Sequence, residues 1–344
     1  MTRLLRATAD CKYDRTIPKT ISLARRQLQP LAWCWRTALD WFQSCNIEIG
    51  RCMPRSRSCL FAFLTSICVL GALRWASAKE PVVVFYPPPY SETDTRDVYT
   101  TRLLAMALEK SGGRFVARPA EGKMLQGRSL LMLQQRRGID VAWAATSNEI
   151  EARVHPVRIP IFKGLIGYRL LLIARSDAEK FSKIRTAEEL KVLVAGQGHD
   201  WIDTPILRAN GFRVHSGSYY DAMFKMLAQH RFDYFPRSVL EIWAEAEAHK
   251  DEGLMIEPHL MLRYPSAVYF FTSKENTALA QAIESGLEKM LRDGSFDKLF
   301  NEHHAELLAR VGMEGRIVFD LENPELPPGT PVERPALWHR PPER

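Results

Sequence analysis

Short apolar runs alternate with helical segments along residues 81–311, and this alternation is the feature that most limits the fold. In the first half, strands are predicted at 81–86, 115–117 and 139–143, with helices between them at 97–110 and 124–137. β-Branched and aromatic runs favour strands, whereas apolar residues spaced three or four apart favour helices. Strands that alternate with helices predict an α/β layer with a parallel sheet.

A second unit of the same kind begins near Gly167. Its predicted strands are 168–174, 191–195 and 232–235, and its predicted helices are 186–190, 203–212 and 221–230. A further strand is predicted at 267–272. Two long helices follow it, one at 278–292 and one that has Ser295 as its N-cap. The second unit is therefore flanked by pieces of the first. The pattern predicts two lobes joined by extended crossings, with a ligand site at the carboxyl ends of the strands and closure by a hinge.

The first 78 residues differ sharply from the rest in charge and in cysteine content. They hold 12 Lys and Arg against 4 Asp and Glu, which leaves 35 basic and 36 acidic residues in the remaining 266. A nucleic-acid-binding protein is expected to carry a basic surface, so the balanced body excludes that class. All 6 cysteines also precede Lys79, so the body has no disulfide, thiolate or cysteine-based metal site and depends on its core.

A signal peptide accounts for residues 53–78. Arg55 and Arg57 supply a basic end, residues 59–73 an apolar core, and Ala76-Ser77-Ala78 a small-residue cleavage site. The apolar run is short for a membrane span of about 20 residues, although an uncleaved anchor stays open as an alternative. We predict export to the periplasm with cleavage after Ala78, and residues 1–52 are then an extension upstream of the true start at Met53.

Four stretches in a fixed order resemble a known family. They are "LLMLQQRRGIDVAWAATSNEIEARVHPVRIP", "TAEELKVLVAGQGHDW", "SYYDAMFKMLAQHRFDYF" and "TALAQAIESGLEKMLRDGSFDKLFNEHH". Together they are similar to periplasmic solute-binding proteins of family 3, the amino-acid-binding type with the two-lobed type II fold. The resemblance implies an α/β lobe one of residues 79–166 plus 267–320, a lobe two of 167–266, and a Pro-rich tail at 321–344. It also implies a monomer without a cofactor that binds a small molecule and works with a membrane permease or sensor protein.

Two departures from the family pattern bear on the ligand. Amino-acid-binding members use an arginine to clamp the ligand carboxylate; here Ala152 holds that position and Arg153 follows it. After the strand at 232–235, where members place an acid for the ligand ammonium, this chain has Arg237. The cation favours an anionic or carboxylate-bearing ligand.

Eight residues are predicted to line the ligand site, each with a structural alternative. From lobe one they are Tyr86, Trp143, Thr146 and Arg153, and from lobe two they are His199, Asp200, Trp201 and Arg237. Aromatic walls with a few polar groups are typical of small-molecule sites, but Trp143 lies in mid-strand and fits core packing better. The turn Gly196-Gln197-Gly198 lacks the third glycine of a dinucleotide fingerprint, because Trp201 stands there, and Asp200 or Asp203 would serve equally well as a helix N-cap.

The remaining motifs favour no chemistry. Glu302-His303-His304-x-Glu306 spaces its histidines about 100° apart on a helix, which is poor for shared metal ligation, so we interpret it as an ordinary helix face. Residues 241–252 are interpreted as a solvated face as well. Three alternatives stay open: a dehydratase-like enzyme on the same fold, a periplasmic sensory module that acts on a membrane receptor, and a membrane-anchored form.

The signal-peptide hypothesis is tested by N-terminal sequencing of the exported protein. We expect Lys79 as the first residue, because signal peptidase requires small residues at positions 76 and 78. The variant Ala78→Leu is expected to accumulate as the longer, membrane-retained precursor, whereas Lys79→Gln is expected to be processed normally. Recovery of mature protein that begins upstream of Met53 would contradict the assignment.

Overall fold

The computed structural model describes residues 80–88, 97–122, 124 and 126–339, and Ala78–Arg344 form a unit separate from Met1–Ser77. The predicted extension at 1–52 and the signal peptide at 53–78 lie outside the described residues. In the described part, no helix combines the length and apolar character that a membrane crossing needs.

Among the described residues, lobe one contains five strands, one of which comes from far along the sequence. Its elements are β1 (Val82–Tyr86), α1 (Val98–Lys110), β2 (Phe115–Pro119), α2 (Gln126–Gln134), β3 (Val141–Ala145), α3 (Asn148–Arg153), β4 (His155–Val157) and β11 (Val268–Thr272). Strand β1 pairs in parallel with β2, and β11 pairs antiparallel with both β3 and β4. Asp140 joins β1 to β3, since its amide donates to the Phe85 carbonyl and its carboxylate accepts from the Phe85 amide, each at 2.8 Å.

Lobe two repeats this arrangement. Its elements are β5 (Tyr168–Ala174), α4 (Ala178–Phe181), α5 (Ala187–Lys191), β6 (Val194–Gly198), α6 (Asp203–Ala209), β7 (Arg213–Gly217), α7 (Tyr220–Ala228), β8 (Tyr234–Ser238), α8 (Ile242–Ala248), β9 (Leu254–Ile256) and β10 (Leu260–Arg263). Strands β7, β6 and β8 run parallel, and β5 pairs antiparallel with β8, β9 and β10. All seven residues of β5 are buried, as expected for a strand at the centre of a sheet.

The predicted fold class is confirmed: the described residues are α/β. Lobe one has a parallel β1–β2 pair and a three-stranded sheet in the order β3-β11-β4, lobe two has one mixed sheet, and each lobe receives an antiparallel strand from beyond a crossing. In lobe one, the last residue of β3 pairs with the first residue of β11. In lobe two, the last residue of β8 pairs with Arg169, near the start of β5. Because β5 and β11 each begin where the chain has just crossed, the carboxyl ends of the parallel strands in both lobes lie at the junction of the lobes.

The two crossings run side by side at this junction. The Tyr264 amide donates to the Gly167 carbonyl at 3.2 Å, and a Cβ at position 167 would overlap the Tyr264 carbonyl. Glycine is therefore required at 167 for the crossings to touch. One apolar cluster extends from Val84 and Leu103 in lobe one to Leu170 and Phe235 in lobe two, so the junction has a continuous core.

Two long helices, α9 (Thr277–Arg292) and α10 (Ser295–Val311), complete lobe one. Asn276 caps α9 through its side chain, which accepts from the Leu279 amide. Helix α10 begins after Gly294 in the left-handed region, so Gly294, and not the predicted Ser295, is the N-cap. His304, from the acidic and histidine-rich motif, is buried against Phe300 and Tyr99 and bonds the Phe300 carbonyl at 2.9 Å.

Several predicted boundaries are corrected. Strand β6 starts at Val194 and includes Gly196-Gln197-Gly198, which were predicted as a turn, because these residues pair with β7. Strand β8 extends through Pro236 and Arg237 to Ser238. Residues 317–320, placed in lobe one from the sequence, form β12 (Ile317–Asp320), which pairs in parallel with β10 of lobe two. The Pro-rich residues after it also pack on the body, with Leu321, Pro331 and Leu337 buried.

The contact between α9 and α1 predicts an unusual response to alanine. A Cβ at Gly286 would overlap the Ala107 carbonyl. Glycine to alanine in an open helix stabilises by about 1 kcal/mol, but here we expect Gly286→Ala to lower the free energy of unfolding by about 1–3 kcal/mol through overpacking. Urea unfolding measures the change, with the exposed neighbour Ser285→Ala as control, and a stabilised Gly286→Ala would contradict this helix contact.

Candidate functional site

In lobe one, the junction carries an aromatic pair. Tyr86 ends β1, and its ring centroid lies 6.0 Å from that of Trp143 on β3. Trp143 is half-buried: its ring packs edge-on against Phe270, and its indole N–H donates to the Asp97 carboxylate at 3.1 Å. Trp143 is thus packed partly into the core, as the structural alternative had it, and its place in a ligand site stays a prediction. Burial raises the pKa of Tyr86, whose hydroxyl stays protonated.

Thr146 and Arg153 differ in how open they are to a ligand. Thr146 follows β3 and is buried; its hydroxyl donates to Glu151 at 2.7 Å, and its amide to the Ala267 carbonyl at 2.8 Å. Arg153 ends α3, which is capped by the Ser147 side chain. Its guanidinium is 43% exposed and is paired with the strongly exposed Glu149 at 3.2 Å. Such a pair contributes little and is easily exchanged for another anion.

In lobe two, the loop after β6 presents the three predicted residues in different ways. His199 and Asp200 are exposed, with the imidazole Nδ1 3.7 Å from the carboxylate. Trp201 folds back over Gly198, where a Cβ would lie 2.5 Å from the indole ring. The Thr204 hydroxyl donates to the Gly198 carbonyl at 2.6 Å and closes the loop. The glycine is therefore needed to seat Trp201.

Arg237 lies at the centre of the lobe-two cluster, which consists of Trp201, Tyr220, Phe235, Arg237, Glu241 and Glu245. Its guanidinium carbon lies 4.6 Å from the Trp201 ring centroid and 5.0 Å from that of Phe235, and these two rings are nearly parallel. Cation–π contacts of this kind are strongest for desolvated cations. Four of the eight predicted residues are thereby brought together in two pairs, Tyr86 with Trp143 and Trp201 with Arg237.

Arg237 is already paired with two carboxylates. It donates to both oxygens of Glu245, at 2.7 and 2.5 Å, and to Glu241 at 3.0 Å. Burial alone lowers the pKa of Arg237, but Glu241 and Glu245 raise it above its usual value, so the guanidinium is charged. By formal count, one guanidinium and two carboxylates give the cluster a net charge of one negative. Arg237 is thus occupied by protein carboxylates, in contrast to the open cation that its position in the sequence indicated.

Sequence reasoning missed four of the six members of this cluster, namely Tyr220, Phe235, Glu241 and Glu245. Residues 241–252 were interpreted as a solvated face, which is wrong for Glu245, because that side chain is 8% exposed and bonds both Arg237 and the Tyr220 hydroxyl. Tyr220 looked like part of a helix core stripe but stands at the start of α7, partly exposed. No local spacing rule would have suggested the pairing, because Arg237 lies in β8 whereas Glu245 lies in α8.

A second buried cluster holds the loop after β6 against the crossings. Asp203, the first residue of α6, pairs with Arg169 of β5 at 2.6 Å and accepts from the Tyr264 hydroxyl. Asp203 therefore does not cap the helix through its side chain, as one alternative had it. Burial alone lowers the pKa of Arg169, but Asp203 raises it above its usual value. The loop at 199–203 is thus tied to both crossings, since Arg169 follows the first and Tyr264 opens the second.

No family model matches the chain, and no curated protein is detectably similar to it in sequence. Several solved structures do match the chain in fold. An ancestral arginine-binding protein bound to arginine is 19% identical and has a TM-score of 0.46, over 65% of this chain and 98% of the other. A Salmonella typhimurium periplasmic binding protein described as highly specific for arginine is 14% identical, with a TM-score of 0.45 over 64% and 98%.

A third structural neighbour is a histidine kinase sensor domain similar to periplasmic binding proteins. It is 14% identical and has a TM-score of 0.44 over 65% of this chain and 95% of that domain. The structural neighbours are thus binding proteins of the type that the sequence resemblance indicated, together with a sensor domain. The fold itself is assigned from the strand order and the two crossings described above.

The Arg237 cluster predicts strong coupling between its charges. Removing one partner of a buried ion pair leaves an uncompensated charge and costs about 3–5 kcal/mol, so Glu245→Ala should lower the free energy of unfolding by about 3 kcal/mol. The double variant Arg237→Met with Glu245→Leu should recover most of this loss, because apolar residues of similar volume replace the pair. Denaturant unfolding measures both variants.

The control for this prediction is Glu247→Gln. Glu247 lies on the same helix and pairs at the surface with Lys250. We expect Glu247→Gln to have the same free energy of unfolding as the unaltered protein. If the double variant were as unstable as the sum of Arg237→Met and Glu245→Leu measured singly, the two residues would be energetically independent and the prediction wrong.

Proposed function

We propose that the chain is an extracytoplasmic solute-binding protein that closes around a small polar, carboxylate-bearing ligand and delivers it to an ABC-type membrane permease. One observation carries the proposal: the carboxyl ends of the parallel strands of both lobes meet at the junction. Each end bears aromatic and charged side chains. Open α/β sheets bind ligands at this edge, and a ligand that contacts both lobes favours the closed arrangement.

The carboxylate of the ligand is assigned to Arg153 and not to Arg237. Arg237 is buried and saturated by Glu245 and Glu241, so an incoming anion would have to displace two protein carboxylates. Arg153 is paired only loosely with Glu149 at the surface, and a planar guanidinium matches a carboxylate in a bidentate arrangement.

The net negative charge of the lobe-two cluster supports a positive group on the same ligand. Glu241 is 39% exposed and uses one oxygen to bind Arg237, so its carboxylate is accessible. A ligand with a carboxylate near Arg153 and an ammonium near Glu241 would connect the two lobes. Flat aromatic walls, Tyr86 with Trp143 on one side and Trp201 with Tyr220 on the other, fit the apolar part of such a molecule. We therefore propose an amino-acid-like ligand.

A thermal-shift screen of the exported protein tests the proposal. The panel contains amino acids, dicarboxylates, keto acids, sugar acids and polyamines. A ligand that binds only the native state adds about 2.7 kcal/mol of stability at a hundred times its Kd. We expect a shift with a carboxylate-bearing class and none with polyamines. A thermal shift with polyamines alone would contradict the assignment of a carboxylate-bearing ligand. Binding of an acid followed by its turnover would favour the enzyme alternative.

Arg153→Met is the matched variant for the ligand that the screen identifies. If the residue clamps the carboxylate and its loss weakens binding about a hundredfold, the stabilisation at that ligand concentration falls to about 0.4 kcal/mol. The control is Arg292→Met, an exposed arginine in the last turn of α9. Equal shifts in both variants would exclude Arg153 from the site while leaving solute binding intact.

A further inference from the structure

The C-terminal segment, residues 316–339, connects the two lobes a second time. The first two crossings lie at 158–167 and 264–267. After α10 of lobe one, the chain passes to lobe two, forms β12, and then returns to lobe one. Within the described residues the backbone therefore crosses the junction four times, and the last two crossings belong to this segment. We call residues 316–339 the strap.

The strap is bound tightly to lobe two by its first half. Arg316 donates to the carbonyls of Glu257 and Leu260 at 2.8 and 3.2 Å, and Asp320 forms a bidentate ion pair with Arg263. Just beyond β12, the Glu322 backbone exchanges two hydrogen bonds with the Asn210 side chain. The Asn323 side chain then donates to the Pro265 carbonyl in the second crossing.

The second half of the strap is anchored on lobe one. Arg334 pairs with both oxygens of Glu288 on α9, at 2.8 and 3.1 Å, and Leu337 is buried in the large core cluster. Gly329 lies against the Arg158 guanidinium, where a Cβ would be 2.7 Å from Nε. Arg158 in turn pairs with Glu151, which accepts the hydrogen bond of Thr146. The strap thus supports the polar chain behind a predicted ligand residue.

The end of the strap packs directly on the first crossing. The Trp338 ring lies against Gly164, where a Cβ would be 2.5 Å from a ring carbon, and the Trp338 indole N–H donates to Pro331 within the strap. The His339 amide donates to the Lys163 carbonyl at 2.7 Å, and the Tyr168 hydroxyl donates to the His339 carbonyl at 2.8 Å.

The backbone at this contact has a conformation that the surrounding structure must hold in place. Lys163 and Gly164 both have φ in the left-handed region, at 48° and 77°. For lysine this region is uncommon and persists only where the surroundings hold it. The indole of Trp338 lies directly against the backbone at Gly164, so the ring would have to move if the torsions there changed.

We propose that the strap restrains rotation of lobe two against lobe one, with Trp338 as the residue that holds the hinge at Lys163 and Gly164. Two crossings alone permit hinge motion about their own backbone torsions. A strand anchored on both lobes and packed on the hinge removes part of that freedom. This role of the strap does not depend on which ligand is bound, so the inference does not rest on the proposed function.

Hydrogen exchange of the ligand-free full chain tests the proposal. Trp338→Ala is expected to accelerate exchange of the Gly167 and Tyr264 amides about tenfold, while the amides of β5, β6 and β8 keep their protection, because local opening is separable from global unfolding. X-ray scattering should show a larger radius of gyration. The control is Val332→Ala, an exposed strap residue, which should leave both measurements unchanged.

A second arm avoids any failure of the variant to fold. A protease site inserted between Pro328 and Gly329, which are both exposed, allows the strap to be cut after folding. Cutting is expected to reproduce the faster hinge exchange, with the uncut protein as control. Unchanged hinge exchange after cutting, or a Trp338→Ala variant whose core and hinge amides accelerate equally, would overturn the proposal and leave the strap a general stabiliser.

Discussion

The antiparallel insertion of one strand into each sheet is the constraint on which the rest of this structure depends. Strand β5 enters the sheet of lobe two beside β8, and β11 enters the sheet of lobe one beside β3. Both strands begin where the chain has just crossed between lobes. Antiparallel pairing then places the carboxyl ends of β3 and β8 at the crossings, so that the corresponding edges of both lobes face the junction.

Two buried charge clusters fix the positions of side chains on the lobe-two side of that junction. Arg169 with Asp203 and Tyr264 fixes the loop after β6 to the crossings, and Arg237 with Glu241 and Glu245 fixes β8 to α8. Buried ion pairs add little to stability compared with an apolar core, but each partner strictly requires the other. Their effect is positional: they set where Trp201 and Tyr220 stand, and they leave one carboxylate, Glu241, partly open.

The alternation of strands and helices was predictable because each element's apolar spacing is local. The boundaries of the strands were less predictable. Strand β6 continues through Gly196-Gln197-Gly198 because β7 provides hydrogen-bond partners, and local propensity cannot show such partners. The same holds for residues 317–320, whose partner β10 lies more than fifty residues away. For the site, Tyr86 with Trp143 and Trp201 with Arg237 were identified as candidates, but the partners Glu241 and Glu245 were not.

The sequence by itself determined the α/β class, the two-unit organisation, the cysteine-free and charge-balanced body, and the residue types at the strand ends. These follow from composition and from periodicities that span one element. Only the tertiary structure decided that Arg237 is paired with two carboxylates, that Thr146 is buried and bonded to Glu151, and that the Pro-rich residues after β12 return across the junction to Gly164. Each of these depends on contacts between residues far apart in the chain, and the free energy of such contacts is set by burial and geometry that no local pattern contains.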